Sequence, residues 1–205
     1  MLQAALHGFI LAFGLILPLG VQNIFVFNQG AVQPRFSRVL PVILAASVCD
    51  TLLITLAVAG VSVVVLGSFW IKTVLFILGI LFLLYMGVVT WRSNPRPVKD
   101  EEINVLTPKK QMVFALSVSL LNPHAILDTV GVIGTSSLNY GGTAKMAFGL
   151  SCIVVSWLWF LGLGIAGNML GKIDKSGRVM ALLNKISALV MWGTAIYLGT
   201  SLINQ

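Results

Sequence analysis

The first 34 residues contain no Asp, Glu, Lys or Arg, and a gap of that length leaves few solvents in which the chain can fold. Three more runs, 73–91, 146–171 and 186–205, are equally free of charge. Two others, 39–71 and 111–144, are each interrupted by one acid, Asp50 and Asp128. Every run is long enough to cross the hydrocarbon layer of a bilayer, which takes roughly 20 apolar residues. With 58% of the 205 residues apolar and 9% charged, little is left outside these runs. That balance excludes a soluble enzyme and a disordered chain. The net charge of +7 is confined to short connecting stretches, which is the signature of membrane topology rather than of a nucleic-acid groove.

Six spans are expected, at about 4–28, 40–64, 69–91, 111–138, 145–170 and 184–203. Helices are favoured over a closed barrel because stretches such as Val61 to Leu66 do not alternate in polarity. With flanking residues assigned to the nearer loop, the loops after the first, third and fifth spans hold 2, 5 and 4 Lys or Arg, against 1 and 1 after the second and fourth. Positive charges stay in the cytoplasm. A multi-pass protein of the cytoplasmic membrane with both termini outside is therefore expected. No basic residue precedes the first apolar run, so that run lacks the n-region of a cleaved signal peptide and is expected to be retained.

The stretch Arg92 to Lys110 holds Pro95, Pro97 and Pro108 with Asp100, Glu101 and Glu102, the composition of a solvated linker. It divides the chain into a first half, 1–91, a cytoplasmic linker, 92–110, and a second half, 111–205. A shift of 105 lays Pro18 on Pro123 and Asn23 on Asp128. A shift of 106 lays Gly87 on Gly193, and one of 107 lays Ala59-Gly60 on Ala166-Gly167. Three spans per half is an odd number, so the second copy must be upside down relative to the first. The expected fold is an all-α integral membrane protein of six transmembrane helices in two inverted three-helix repeats, with the first and fourth helices broken at Pro18 and Pro123.

Those breaks carry the chemistry. Asn122-Pro123 starts a new helix inside the fourth span, with Asn122 as N-cap and Pro123 in the first turn. Its free N–H groups and positive dipole end suit a carboxylate. His124 and Asp128, four residues apart, share a face on which a cation could rest one turn away. The first span repeats the device as Pro18-Leu19-Gly20-Val21-Gln22-Asn23, where Gln22 and Asn23 follow the break and Gln29 shares the face of Gln22. Asp50 and Asp128 are the two acids inside spans, and a carboxylate at that depth costs several kcal/mol unless paired, neutralised or hydrated. Asp50 has no polar break around it, so Asp128 is expected to matter more. A protonated Asp bonded between helices is the structural alternative for both. The candidate substrate-binding residues are thus Gln22, Asn23, Asn122, His124, Asp128 and Asp50.

Pro18-Leu19-Gly20-Val21-Gln22-Asn23 through Asn28-Gln29-Gly30, and Asn122-Pro123-His124 through Leu127-Asp128-Thr129, resemble the two signatures of the LysE family of amino-acid exporters. The resemblance spans the whole chain, and the second segment is more similar to the lysine and arginine branch than to the threonine and homoserine branch. Val21 departs from it, since a second proline is usual there. The resemblance implies an inner-membrane exporter of small, often basic amino acids driven by the proton or potential gradient. Exporting a positive charge against an inside-negative potential costs about 2.3 kcal/mol per 100 mV. A proton returning to Asp128 as the cationic substrate leaves would offset that cost.

Two rival readings use the same polar residues. Asp50 and Asp128 facing one another could form an intramembrane aspartyl protease, although no Gly-x-Gly-Asp motif occurs. Cys49 and Cys152 could form a thiol relay, although neither has a partner or flanking prolines. His7 is expected at the outer interface, Trp70, Tyr85, Trp91 and Trp192 in packing or belts, and Gly162, Gly164 and Gly167 at close helix contacts. No phosphate loop and no metal-spaced Cys or His set is present, so neither cofactor nor metal is expected. The expected partners are an amino acid, a proton and the bilayer, with no nucleic acid and with homo-oligomerisation left open.

Overall fold

A computed structural model describes residues 1–17, 20–61, 69–92, 106–121, 126, 128–173 and 178–203. No strand occurs among them. The helices are α1 (Leu2–Ile16), α2 (Val21–Val32), α3 (Leu40–Leu56), α4 (Phe69–Arg92), α5 (Pro108–Leu121), α6 (Gly142–Ile173) and α7 (Arg178–Ile203). Two π-helical segments, Ala57–Val61 and Asp128–Gly134, follow α3 and precede α6. Phe36–Gly60 and Gly142–Ile173 are each long and apolar enough to cross a membrane, and α1 with α2 makes a third such span if taken together. At about 1.5 Å per residue, the 24 residues of α4 and 26 of α7 also match the thickness of the hydrocarbon layer.

The expected first span is two helices meeting at 76°. Pro18 itself lies outside the described residues, as do Asn122, Pro123 and His124, where the fourth span was expected to break. The second span ends earlier than 64, at Gly60, whose φ of 106° is tolerated by glycine and by few other residues. The fifth is longer than expected because the turn before it closes at Gly142, so that α6 is 32 residues long.

Small residues determine how the helices meet. Ala4, Gly8 and Ala12, spaced one turn apart on α1, are buried, and a Cβ on Gly8 would stand 2.5 Å from the carbonyl oxygen of Phe148 on α6. Further along α6, Gly164, Gly167 and Gly171 meet Phe27, Gly30 and Ala31 of α2 backbone to backbone. Gly162 meets nothing among the described residues, contrary to the expectation for it. Such contacts are the usual substitute for hydrophobic attraction among helices in lipid. In the other half of the molecule α4 packs on α7, where Gly87 leaves room for the Trp192 indole. A core of Val21, Ile24, Leu83, Met86, Val118, Met191 and Ala195 joins that pair to α2 and α5.

The distribution of polarity is the reverse of a soluble protein's. Ile10 is 70% exposed and Leu158 59%, whereas Gln111 is 0% and Ser156 2% exposed. Side chains of this kind are stable only with apolar material outside. Polar groups have been turned inward, toward one another.

Candidate functional site

The break between α1 and α2 frees backbone groups that must find partners. Asn23 meets this need at one end, its Nδ2 donating to the Ile16 carbonyl over 2.8 Å. At the other end Gly20 is an N-cap in extended conformation without a side-chain hydrogen bond. The first turn of α2 therefore presents N–H groups, and Gln22 rises from it into the protein interior. Its amide is 6% exposed, and its Nε2 has no hydrogen-bond partner among the described residues.

Gln22 faces Asp50. The Asp50 carboxylate accepts a hydrogen bond from Ser156 Oγ over 2.9 Å, and the Gln22 amide approaches the same carboxylate without completing an aligned bond. Three helices thus converge on one acid: α2 through Gln22, α3 through Asp50 itself and α6 through Ser156. One residue further, Trp157 Nε1 donates to Thr51 Oγ1 over 3.0 Å, and Thr51 Oγ1 donates to the Ser47 carbonyl. The acid that the sequence left without polar company has two polar side chains against it, Ser156 and Gln22.

Among the described residues the site has no cation: no Lys, Arg or His bonds to Asp50, whose carboxylate meets Ser156 and Gln22. A carboxylate supported by neutral donors with no counter-charge has capacity for a positive group from elsewhere.

Of the six predicted site residues, the structure brings Gln22 against Asp50, while the neighbouring Asn23 turns to the Ile16 carbonyl. Asn122 and His124 lie outside the described residues. Asp128 opens the π-helical segment Asp128–Gly134, which packs against α3, α1 and the turn at Ala57–Val61. The helix bearing Asp50 and the segment bearing Asp128 are therefore neighbours. Ser156 was missed, although it stands 106 residues after Asp50, within the 105–107 shifts that relate the two halves.

The other polar residues have structural roles. His7 Nδ1 and the Tyr140 hydroxyl are 2.8 Å apart, with Phe148 against both rings. Trp91 and Trp192 pack together with centroids 5.5 Å apart. Cys49 and Cys152 are free and buried, and Cys152 Sγ lies 3.4 Å from the Gly8 carbonyl oxygen. Among the described residues no group of three or more His, Cys, Asp or Glu could hold a metal ion.

A family model described as LysE type translocator matches residues 13–202. The chain is 59% identical, over 98% of its length and 91% of the other's, to YisU of Bacillus subtilis (strain 168), named for amino-acid transport. It is 32% identical to the arginine exporter protein ArgO of Pectobacterium carotovorum subsp. carotovorum (strain PC1), over 97% of both chains. The ArgO of Salmonella typhimurium (strain LT2) is 31% identical over 97% of this chain and 94% of its own. No solved structure matches.

Proposed function

Since the chain belongs to the LysE type translocators and is a membrane transporter rather than an enzyme, we propose that it exports a basic amino acid, arginine or lysine, from the cytoplasm. The observation that carries this reading is the Asp50 carboxylate, supported by Ser156 and Gln22 and without a cation of its own among the described residues. A cationic side chain completes that site. The N–H groups in the first turn of α2 are then within a few residues of the substrate's carboxylate, an arrangement common where a broken helix binds a zwitterion. Asp128 supplies a second acid on the neighbouring segment, and Asn122 and His124 are assigned to the site from the sequence.

The same reading takes residues 1–91 and 111–205 as inverted three-helix halves joined by the 92–110 linker, six spans in all. Helix contacts support it. The two third spans, α4 and α7, pack together, and so do the two second spans, α3 and α6. The contact of α2 with α6 is mirrored by that of α5 with α3. Residues on a pseudo-twofold axis touch their own counterparts, and two bonds at that crossing, Ser156 to Asp50 and Trp157 to Thr51, each link residues 106 apart. Both termini lie outside the cytoplasmic membrane in this reading, and exchange with a proton keeps each cycle electroneutral.

The test is efflux of radiolabelled lysine, arginine, threonine and leucine from proteoliposomes containing the purified protein. Arginine or lysine should leave faster than the two neutral amino acids. Faster efflux of threonine or leucine would overturn the substrate assignment.

A further inference from the structure

We propose that Gln33 and Gln111 form a second cation-recognition site, at the end of α2 beside Arg35 and Arg38, where a basic substrate is first held before reaching Asp50. The inference rests on the export reading above and extends it to an intake site. Gln22 and Gln29 on α2 and Gln33 at its C-cap fall at i, i+7 and i+11, within about 40° of one another at 100° per residue. All three are buried. The face they share is an amide track about 16 Å long, with Asp50 at one end.

At the other end the geometry is specific. Gln33 Nε2 donates to the backbone carbonyl of Leu106 over 3.2 Å, and Gln111 Nε2 donates to the same carbonyl over 2.9 Å. Gln33 Nε2 also reaches Gln29 Oε1 at 3.3 Å. A carbonyl oxygen only accepts, so both amide nitrogens must face Leu106 and the orientation of each amide is determined. The two oxygens are left over. Gln33 Oε1 and Gln111 Oε1 are buried without a hydrogen-bond partner among the described residues, on side chains 3% and 0% exposed.

Two buried acceptors without donors are costly to leave unsatisfied. A guanidinium or ammonium group carries the donors that satisfy them, with no negative charge needed. Neutral acceptors also suit the location. Arg35, Arg38, Lys109 and Lys110 lie within a few residues and are exposed, so a carboxylate here would be neutralised by them. An amide oxygen would not, and it holds a cation weakly enough to pass it on. The exposed basic residues remain free to meet the substrate's own carboxylate.

The test measures initial rates of radiolabelled arginine transport in proteoliposomes against concentration on the face carrying Arg35 and Arg38. Loss of one charge-assisted bond in Gln33→Leu or Gln111→Leu should raise half-saturation about tenfold with the maximal rate nearly unchanged. Half-saturation unmoved, or a fall in maximal rate alone, would overturn the proposal, since the amides would then only pin Leu106. If the leucine variants do not fold, Gln33→Asn and Gln111→Asn serve instead, since they keep an amide but withdraw its oxygen by one methylene. Raised half-saturation in them supports the site and no change overturns it. Absence of arginine transport by the wild type would defeat the export reading as well, whereas wild-type transport with unmoved variants defeats this inference alone.

Discussion

Asp50→Asn separates the charge at the centre of the site from its shape. The amide is isosteric, so its oxygen keeps the hydrogen bond from Ser156 Oγ that the carboxylate accepts over 2.9 Å, and insertion should be unaffected. The charge attraction is lost. A substrate cation about 4 Å from the carboxylate gains about 4 kcal/mol at an effective dielectric of about 20. A neutral amide oxygen returns about 1 kcal/mol of that. The remaining difference of about 3 kcal/mol corresponds to a roughly hundredfold loss in arginine efflux efficiency. The assay is initial-rate efflux from proteoliposomes, with gel filtration in detergent to show that the variant is folded. Ser156→Ala supplies a second arm: it should lower efficiency about tenfold in the wild-type background, by removing a bond to a charged group, and much less in the Asp50→Asn background. Efflux by Asp50→Asn within a few-fold of wild type would refute the role given to this acid. Equal effects of Ser156→Ala in both backgrounds would show that Ser156 does not act through Asp50.

Other expectations follow from the packing and from the proposed coupling. Gly167→Leu places a side chain against the Phe27 carbonyl on α2, and because backbone cannot yield as a side chain does, it should cost at least about 2–3 kcal/mol and lower the melting temperature in detergent. An unchanged melt would show that α2 and α6 are not in close contact. Gly87→Leu should destabilise by driving into the Trp192 indole, and Trp192→Ala should restore part of the loss. No rescue would contradict the α4–α7 contact. Asp128→Asn should abolish transport in protein that remains folded and inserted, and normal efflux would make Asp128 structural. With a proton exchanged for each cation, efflux should follow an imposed pH gradient and respond little to an imposed potential. The opposite dependence would remove proton exchange while leaving export intact.

What could be read from the sequence was set by periodicity and by the cost of burying charge. Uncharged runs mark helices because each Lys or Arg inside one costs about 2.5–3.5 kcal/mol. The charge-poor run at 69–91 accordingly coincides with a helix, α4 at Phe69–Arg92. Helix ends in other places depended on backbone detail that hydropathy does not encode. Gly60 stops the second span through its positive φ, and nothing in Ala59-Gly60-Val61 distinguishes it from glycines that continue a helix. The surroundings of Asp50 were hidden for a different reason. Its polar neighbours come from 28 residues upstream and 106 downstream, so inspecting its own span found none. The repeat shift contained the signal, since adding 106 to Asp50 lands on Ser156. Gln33 and Gln111 had no comparable marker, because their meeting depends on where Leu106 brings the end of the linker.

The residue types along α2 follow from what a charged substrate needs in an apolar layer. A track of carboxylates would bind a basic amino acid tightly and release it slowly, and each unoccupied acid would need a proton or a partner at several kcal/mol. Amides are less costly to leave empty: Gln33 Nε2 still reaches Gln29 Oε1, and the oxygens left over at Gln33 and Gln111 cost less than an unpaired carboxylate would and accept substrate donors directly. The carboxylate of Asp50, at the end of the track, then supplies the charge balance that neutral groups cannot. The track is held in place from other faces of the same helix, by the bond of Asn168 to the Gly30 carbonyl and that of Asn28 to Asn184, and by close backbone packing. Gly30 meets α6 backbone to backbone at Gly164 and Gly167, and Phe27 and Ala31 extend the contact to Gly171. That contact fixes the azimuth of α2 and so the direction in which Gln22, Gln29 and Gln33 point. A bulky residue at Gly167 should therefore disturb transport even where the protein still inserts, through rotation of the amide face rather than through loss of any group that touches substrate.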